Sequence, residues 1–302
     1  MKRTILVTIL MSLCAYFFAQ DITVGTYNVR YYNNHDSIDG NGWDQRHKVI
    51  ISIINNNEFD ILGTQEVRHN QLLDLNKGLP DYDYVGIGRD DGKTAGEYAA
   101  IFYKKTKFDL VDSGHFWLAE DTSKPNKGWD ASHIRICTWA RLWDKKKRKT
   151  IYFFNLHMDH KGKIAIQKST DLVLDKIKSI AKKDAVVLTG DFNFDQIHRC
   201  YAKINNSGIL TDSYNVAKKR HAPNGTVNHF RPDVKTNERI DHLFVSQNID
   251  ILKYSVITDT YLANKTDGKI IEISDNSSII SIDANIKVPS DHYPVKIDFN
   301  YK

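Results

Sequence analysis

The stretch Ala185-Val186-Val187-Leu188-Thr189-Gly190-Asp191-Phe192-Asn193 decides how the chain is read. A short apolar run rich in β-branched residues and set between charged neighbours is the pattern of a buried strand. The glycine near its end lets the backbone turn and present polar side chains at the tip. If the chain bends between them, Asp191 and Asn193 reach one site: an anion that can orient a water or a cation, beside a neutral donor for a developing oxyanion. The same two residues also suit a local Asx-turn that merely closes the strand. The pattern recurs along the chain. Apolar runs at 22–24, 61–63 and 151–154 lead into Thr26-Tyr27-Asn28, Thr64-Gln65-Glu66 and Asn155-Leu156-His157-Met158-Asp159-His160; Asp241-His242 opens the run 243–245, and Ser290-Asp291-His292 precedes Tyr293-Pro294-Val295.

Taken in order, Asn28, Gln65-Glu66, Asn155-x-His157, Gly190-Asp191-Phe192-Asn193, Ile240-Asp241-His242 and Ser290-Asp291-His292 resemble the endonuclease/exonuclease/phosphatase superfamily. That group holds pancreatic-type deoxyribonuclease, abasic-site endonucleases, poly(A) deadenylases, bacterial sphingomyelinases and inositol polyphosphate phosphatases. The resemblance runs from about residue 22 to residue 299 and is nearest to a bacterial exported branch related to the deadenylase-type members. It implies an α/β fold, a four-layer sandwich of two central mixed β-sheets flanked by helices, and metal-assisted hydrolysis of a phosphoester. On this resemblance Glu66, with Asp291 and Asn28, holds Mg²⁺ or Mn²⁺, for which hard oxygen donors are suited. Asp191 orients or deprotonates the attacking water, while Asn193, His157 and His292 stabilise charge on the phosphoryl oxygens. Glu97 is expected to orient His157, and Asp241 to bond one ring nitrogen of His292 and fix its tautomer. Arg135 is a candidate phosphate contact. Arg89 either reaches a substrate phosphate or pairs with Asp90 or Asp91. On an extended chain His157 and Asp159 share a face, so Asp159 is expected to support His157 beside the substrate, with His160 turned away to cap the following loop.

The chain has 302 residues, 41% of them apolar, enough to bury a substantial core in one large domain or two small ones. Met1-Lys2-Arg3, the apolar stretch 4–18 and Ala19 have the make-up of a cleavable secretory signal, so residues 1–20 are expected to be removed and residues 21–302 to form a single exported domain with no membrane segment. Taking Lys2 and Arg3 from the 42 basic residues leaves 40 against 37 acidic ones, a charge of +3. That mild excess is small for a protein whose affinity comes from neutralising many phosphates of a polymer. The run Lys145-Lys146-Lys147-Arg148-Lys149 is placed at a solvated hairpin tip. Cys137 and Cys200 are expected to be buried free thiols, and zinc-type Cys/His spacing is absent. The expected protein is a monomeric phosphodiesterase or nuclease. A hydrolase of small phosphodiesters or phosphomonoesters, such as phospholipid head groups, sugar or inositol phosphates, is the alternative. A catalytically inactive binding module would need a lost ligand.

Apolar spacing predicts helices over 44–55, 70–79, 164–181 and 197–204, and strands over 82–87, 96–103 and 209–212. Trp117, Trp129 and Trp139 are read as core. The polar stretches 31–42 and 215–237 are read as loops, the second near the cleft rim. The runs 270–273 and 279–282 suggest a β-hairpin without aromatic residues, which weighs against a membrane-acting sphingomyelinase.

Overall fold

The computed structural model describes residues 22–265, 269–271 and 283–302. Its first half runs β1 (Ile22–Asn28), α1 (Asn34–Ile38), α2 (Trp43–Asn56), β2 (Ile61–Gln65), α3 (His69–Gly78), β3 (Tyr82–Val85) and β4 (Ile101–Lys104). Next come β5 (Phe108–Trp117), β6 (Ile136–Asp144), β7 (Lys149–His157), α4 (Lys163–Ala181), β8 (Ala185–Asp191) and α5 (Arg199–Asn205). The remainder is β9 (Leu210–Asp212), α6 (Ser213–Val216), β10 (Lys219–His221), β11 (Asp241–Ser246), β12 (Ile249–Val256), β13 (Tyr261–Asn264), β14 (Ala284–Lys287) and β15 (Val295–Tyr301).

Two large mixed sheets result, in the orders β10-β12-β15-β1-β2-β4-β3 and β5-β6-β7-β8-β11-β9, with β13 and β14 paired apart. Three apolar layers hold them. Val24, Ile61, Val187, Leu243 and Ile297 belong to the core between the sheets; Ile50, Ile54, Leu72 and Leu75 of α2 and α3 cover one outer face; Val173, Leu174 and Ile177 of α4 cover the other. This is the four-layer α/β sandwich, and β1, β2, β7 and β8 are buried on both faces because each lies between layers. Among the described residues no helix is long and apolar enough to cross a membrane. Among the described residues Cys137 and Cys200 are free and buried.

Several local expectations shift. The strand predicted to start at residue 96 starts at Ile101, because Gly96 turns with φ +84° and Glu97 is drawn into an ion pair with Arg89. The loop after β1 contains α1, whose first turn is capped by Asn33 accepting from the Asp36 N–H. The helix predicted from residue 197 begins at Arg199, after His198 caps it. Lys219–His221 in the second polar stretch forms an edge strand on β12. Trp117 is buried, whereas Trp129 and Trp139 are only partly so. Most of the proposed 270–282 hairpin, like the leader, lies outside the described residues; Ile270 bridges Ala263.

Near the ends of the functional strands the two sheets are joined by side-chain hydrogen bonds. The Asn155 amide crosses between them, donating to the carbonyls of Thr64 (2.9 Å) and Ala100 (3.0 Å) and accepting from Gln65 Nε2 (2.6 Å). Gly63 makes room for this. A Cβ there would lie 2.5 Å from both Asn155 Oδ1 and Thr189 Oγ1. Gly63→Ala is therefore expected to lower unfolding free energy by about 1–3 kcal/mol, because Asn155 and Thr189 would have to move off the buried hydrogen bonds they make at this seam. A denaturant titration checks this; an unchanged midpoint would mean that the sheets can part freely.

Candidate active site

Parallel pairing of β1 with β2 and of β7 with β8 brings the C-terminal ends of these strands together. The backbone turns sharply at three of the tips. Arg30 (φ 59°), Glu66 (φ 62°) and Asn193 (φ 53°) all adopt the left-handed region, which non-glycine residues enter at a cost and which clusters at working sites. Glu66 is thereby turned into a cleft of about 500 Å³ that is also lined by Arg30, Tyr31, Arg68, Arg89, Asp90, Glu97, His133, Arg135, His157, His160 and Asn193.

At its base Asn28 Nδ2 donates to Glu66 Oε1 (3.1 Å) and Asp191 Oδ2 (3.0 Å), while its oxygen accepts the Arg30 N–H (3.0 Å). Asn28, expected as a metal ligand, thus turns its nitrogen to the carboxylates and holds them in place. The Tyr31 N–H fixes Glu66 Oε2 (3.1 Å). Asp291 sits beside Glu66 and pairs with Arg30 at 3.5 Å. Among the described residues, ligand atoms of Glu66, His157 and Asp191 lie within 4.8 Å of one another, as do those of Asp191, Asp241 and His292; Asp291 belongs to neither set. Burial, with Glu66 charge nearby, pushes the carboxyls of Asp191 and Asp291 upward. A buried group of oxygen donors whose charges repel one another fits a hard divalent cation.

The two imidazoles are poised oppositely. Burial alone would lower His292, but Asp241, 2.8 Å from its Nδ1, and Asp191 outweigh it and hold the ring well above its ordinary value, as a cation. Burial and the guanidinium groups of Arg135 and Arg89 push His157 well below its ordinary value, so it is neutral. Its Nε2 is 3.4 Å from Asp191 Oδ2, and its Nδ1 is 3.8 Å from Glu97 Oε2, longer than a hydrogen bond. Two imidazoles with divergent protonation, flanking one carboxyl, are an acid–base arrangement.

Arg89 pairs with Glu97 at 2.5 Å and more loosely with Asp90 at 3.7 Å. Among the described residues Arg89 Nε and Arg135 Nε and Nη1 are buried donors without a hydrogen-bond acceptor, although Arg135 Nε, like Arg89 Nε, has a carboxylate 3.7 Å away, that of Asp159. Such orphans are rare. Asn193 gives its backbone N–H to Asp191 (2.9 Å) and one amide hydrogen to the Met158 carbonyl (2.9 Å).

Asp159 departs from its expected role. β7 ends at His157, so the alternation does not carry on to residue 159. The Asp159 carboxylate accepts the N–H groups of Ser132, His133, Lys161 and Gly162 and the Ser132 hydroxyl, at 2.8–3.1 Å. Burial would raise this carboxyl, but these donors outweigh it and hold it well below the usual range. In the structure it clamps two loops together and lies 3.7 Å from Arg135 Nε. His160, expected to face away, lines the cleft and stacks on His133. Tyr31, Arg30, Arg68 and His133 also line the cleft and were not singled out from the sequence; they lie in or beside loops where no periodicity marks them.

A model of the Endonuclease/Exonuclease/phosphatase family matches residues 25–292. Among solved structures, an endonuclease/exonuclease/phosphatase family protein of Bacteroides thetaiotaomicron is similar, with 44% identity, a TM-score of 0.87, and coverage of 94% of this chain and 98% of that one. The mannosyl-6-phosphatase of Bacteroides thetaiotaomicron VPI-5482 is also 44% identical, with a TM-score of 0.84 over 93% of this chain and 100% of that one. An uncharacterized protein of Acanthamoeba polyphaga mimivirus is 23% identical over 258 residues, 72% of this chain but 36% of its own length, so the chain spans about a third of that curated relative.

Proposed function

Because the chain belongs to the endonuclease/exonuclease/phosphatase family, we propose that it is a divalent-metal-dependent phosphomonoesterase acting on sugar phosphates. The observation that carries this reading is the group of four guanidinium side chains, Arg30, Arg68, Arg89 and Arg135, that line one cleft. A terminal phosphate presents two negative charges and three free oxygens to such a group, one more of each than an internal diester. The 44% identity to a mannosyl-6-phosphatase over its full length supports the same choice. The leader-like first residues support export of the protein.

Glu66, with Asp291 at hand, would hold the cation, which supplies Lewis-acid polarisation of a phosphoryl oxygen. Arg89 and Arg135 bind the other oxygens and orient the phosphorus. Asp191, its carboxyl raised by burial, takes the proton of the attacking water. Neutral His157 donates N–H to a phosphoryl oxygen, and cationic His292, steadied by Asp241, offsets the charge that builds there.

With Mg²⁺ or Mn²⁺, kcat/KM for mannose 6-phosphate is expected to exceed that for bis-p-nitrophenyl phosphate by at least about 100-fold, and EDTA is expected to abolish turnover. Cleavage of single-stranded DNA or of the diester without monoester turnover would overturn this reading in favour of a nuclease or phosphodiesterase.

A further inference from the structure

Beyond the groups that would grip the phosphate, the cleft rim carries a second set that the mechanism above leaves unused. His133 and His160 lie with ring centroids 5.5 Å apart and planes inclined by 19°, a parallel stack exposed at the mouth. Asp159 makes this stack a built feature. Its carboxylate binds the Ser132 and His133 N–H groups on one loop and those of Lys161 and Gly162 on the other, so the two loops that carry the rings are tied to each other. Burial and the neighbouring Arg135 guanidinium hold both imidazoles below their ordinary values, which leaves them as neutral flat surfaces.

Facing the same cavity are two polar groups with spare capacity. The Asp90 carboxylate has no hydrogen bond among the described residues, only the long pairing with Arg89, and it sits against Gly96, where a Cβ would come within 2.5 Å of Asp90 Cγ. Tyr31 is steadied by the guanidinium groups of Arg30 and Arg68, 4.8 and 5.1 Å from its ring centroid, and its hydroxyl makes no hydrogen bond among the described residues.

We propose that His133, His160, Asp90 and Tyr31 form a leaving-group subsite for a hexopyranose ring, with the imidazole stack against a C–H face and Asp90 and the Tyr31 hydroxyl bonding ring hydroxyls. The assignment rests on the monoesterase reading. A carboxylate accepts hydrogen bonds from two neighbouring hydroxyls, and a sugar offers them. The same carboxylate repels a second phosphate, so it disfavours a polynucleotide continuing along the rim.

The test compares mannose 6-phosphate, glycerol 3-phosphate and adenosine 5′-monophosphate on the wild type, Asp90→Asn and His133→Ala/His160→Ala. The kcat/KM ratio of mannose 6-phosphate to glycerol 3-phosphate is expected to fall by about tenfold or more in each variant, the range that pocket contacts supply. Free mannose is expected to inhibit the wild type competitively and the double variant much more weakly. Asp90 is exposed and its replacement isosteric, so that variant remains informative if the double variant melts early. A ratio unchanged within about threefold overturns the subsite while leaving the monoesterase reading intact. So does a loss on adenosine 5′-monophosphate as steep as on the sugar phosphate, which would make the stack a base platform. A wild type inactive on all three monoesters would sink the monoesterase reading, and the subsite with it.

Discussion

Glu66→Gln is expected to reduce kcat for phosphoester hydrolysis by about 10³-fold or more, with apparent Mn²⁺ affinity falling at least about tenfold. The size of the effect follows from how the side chain is held. Glu66 accepts from Asn28 Nδ2 at Oε1 and from the Tyr31 N–H at Oε2, on a backbone kept in the left-handed region, so both oxygens are presented to the cleft in one orientation. Glutamine has the same shape and retains one oxygen acceptor, but it removes a negative charge from the cluster with Asp191 and Asp291. Relief of that repulsion acts on the folded state, so the variant is expected to melt within a few degrees of the wild type or slightly above it. Activity measured beside a thermal melt and a metal titration separates the two effects. Turnover within tenfold of wild type at saturating metal would remove Glu66 from its assigned role.

What the sequence made legible was set by strands. A strand fixes the direction of alternate side chains and ends at a defined edge, so the pattern of apolar run and polar tip marks Asn28, Glu66, His157 and Asp191, and β1, β2 and β8 have the bounds that their composition indicates. Details decided by contacts distant in sequence were not legible. The Asn155 amide is satisfied by Thr64, Gln65 and Ala100, and only the packed sandwich brings those groups to it. Arg46 is another case. On helix α2 it is fully buried and donates to the carbonyls of Val29, Arg30, Asn41 and Pro289, tying the loop after β1 to the segment before Asp291. The rim of the cleft is of this second kind: His133 and His160 meet because Asp159 clamps two loops, and Glu97 leaves its expected strand because Arg89 captures it. Residue types announce which chemistry is available. Which atoms face one another depends on the loops, where neither a period of two nor one of 3.6 applies.

Asp241→Asn is expected to lower kcat by about 10²–10⁴-fold with little change in KM, acting through His292. Asp241 is wholly buried and accepts from His292 Nδ1 at 2.8 Å, which keeps the proton on that nitrogen and favours the charged ring. An asparagine of the same size offers either a weaker oxygen acceptor or an N–H that forces the ring to accept at Nδ1. Both remove the carboxylate charge that sustains the imidazolium, and the second also reverses the tautomer. The fold has little reason to change, since the Asp241 backbone stays paired with Asp191 in the β8–β11 ladder and its N–H with Thr226 Oγ1. A purely structural role predicts additive losses, whereas action through His292 predicts that Asp241→Asn adds almost nothing once His292 has been replaced by Ala, because residues acting as one unit are not additive. The double variant therefore decides the matter. A further loss in it equal to that of Asp241→Asn alone would show that Asp241 serves the site by some route other than the imidazole it holds.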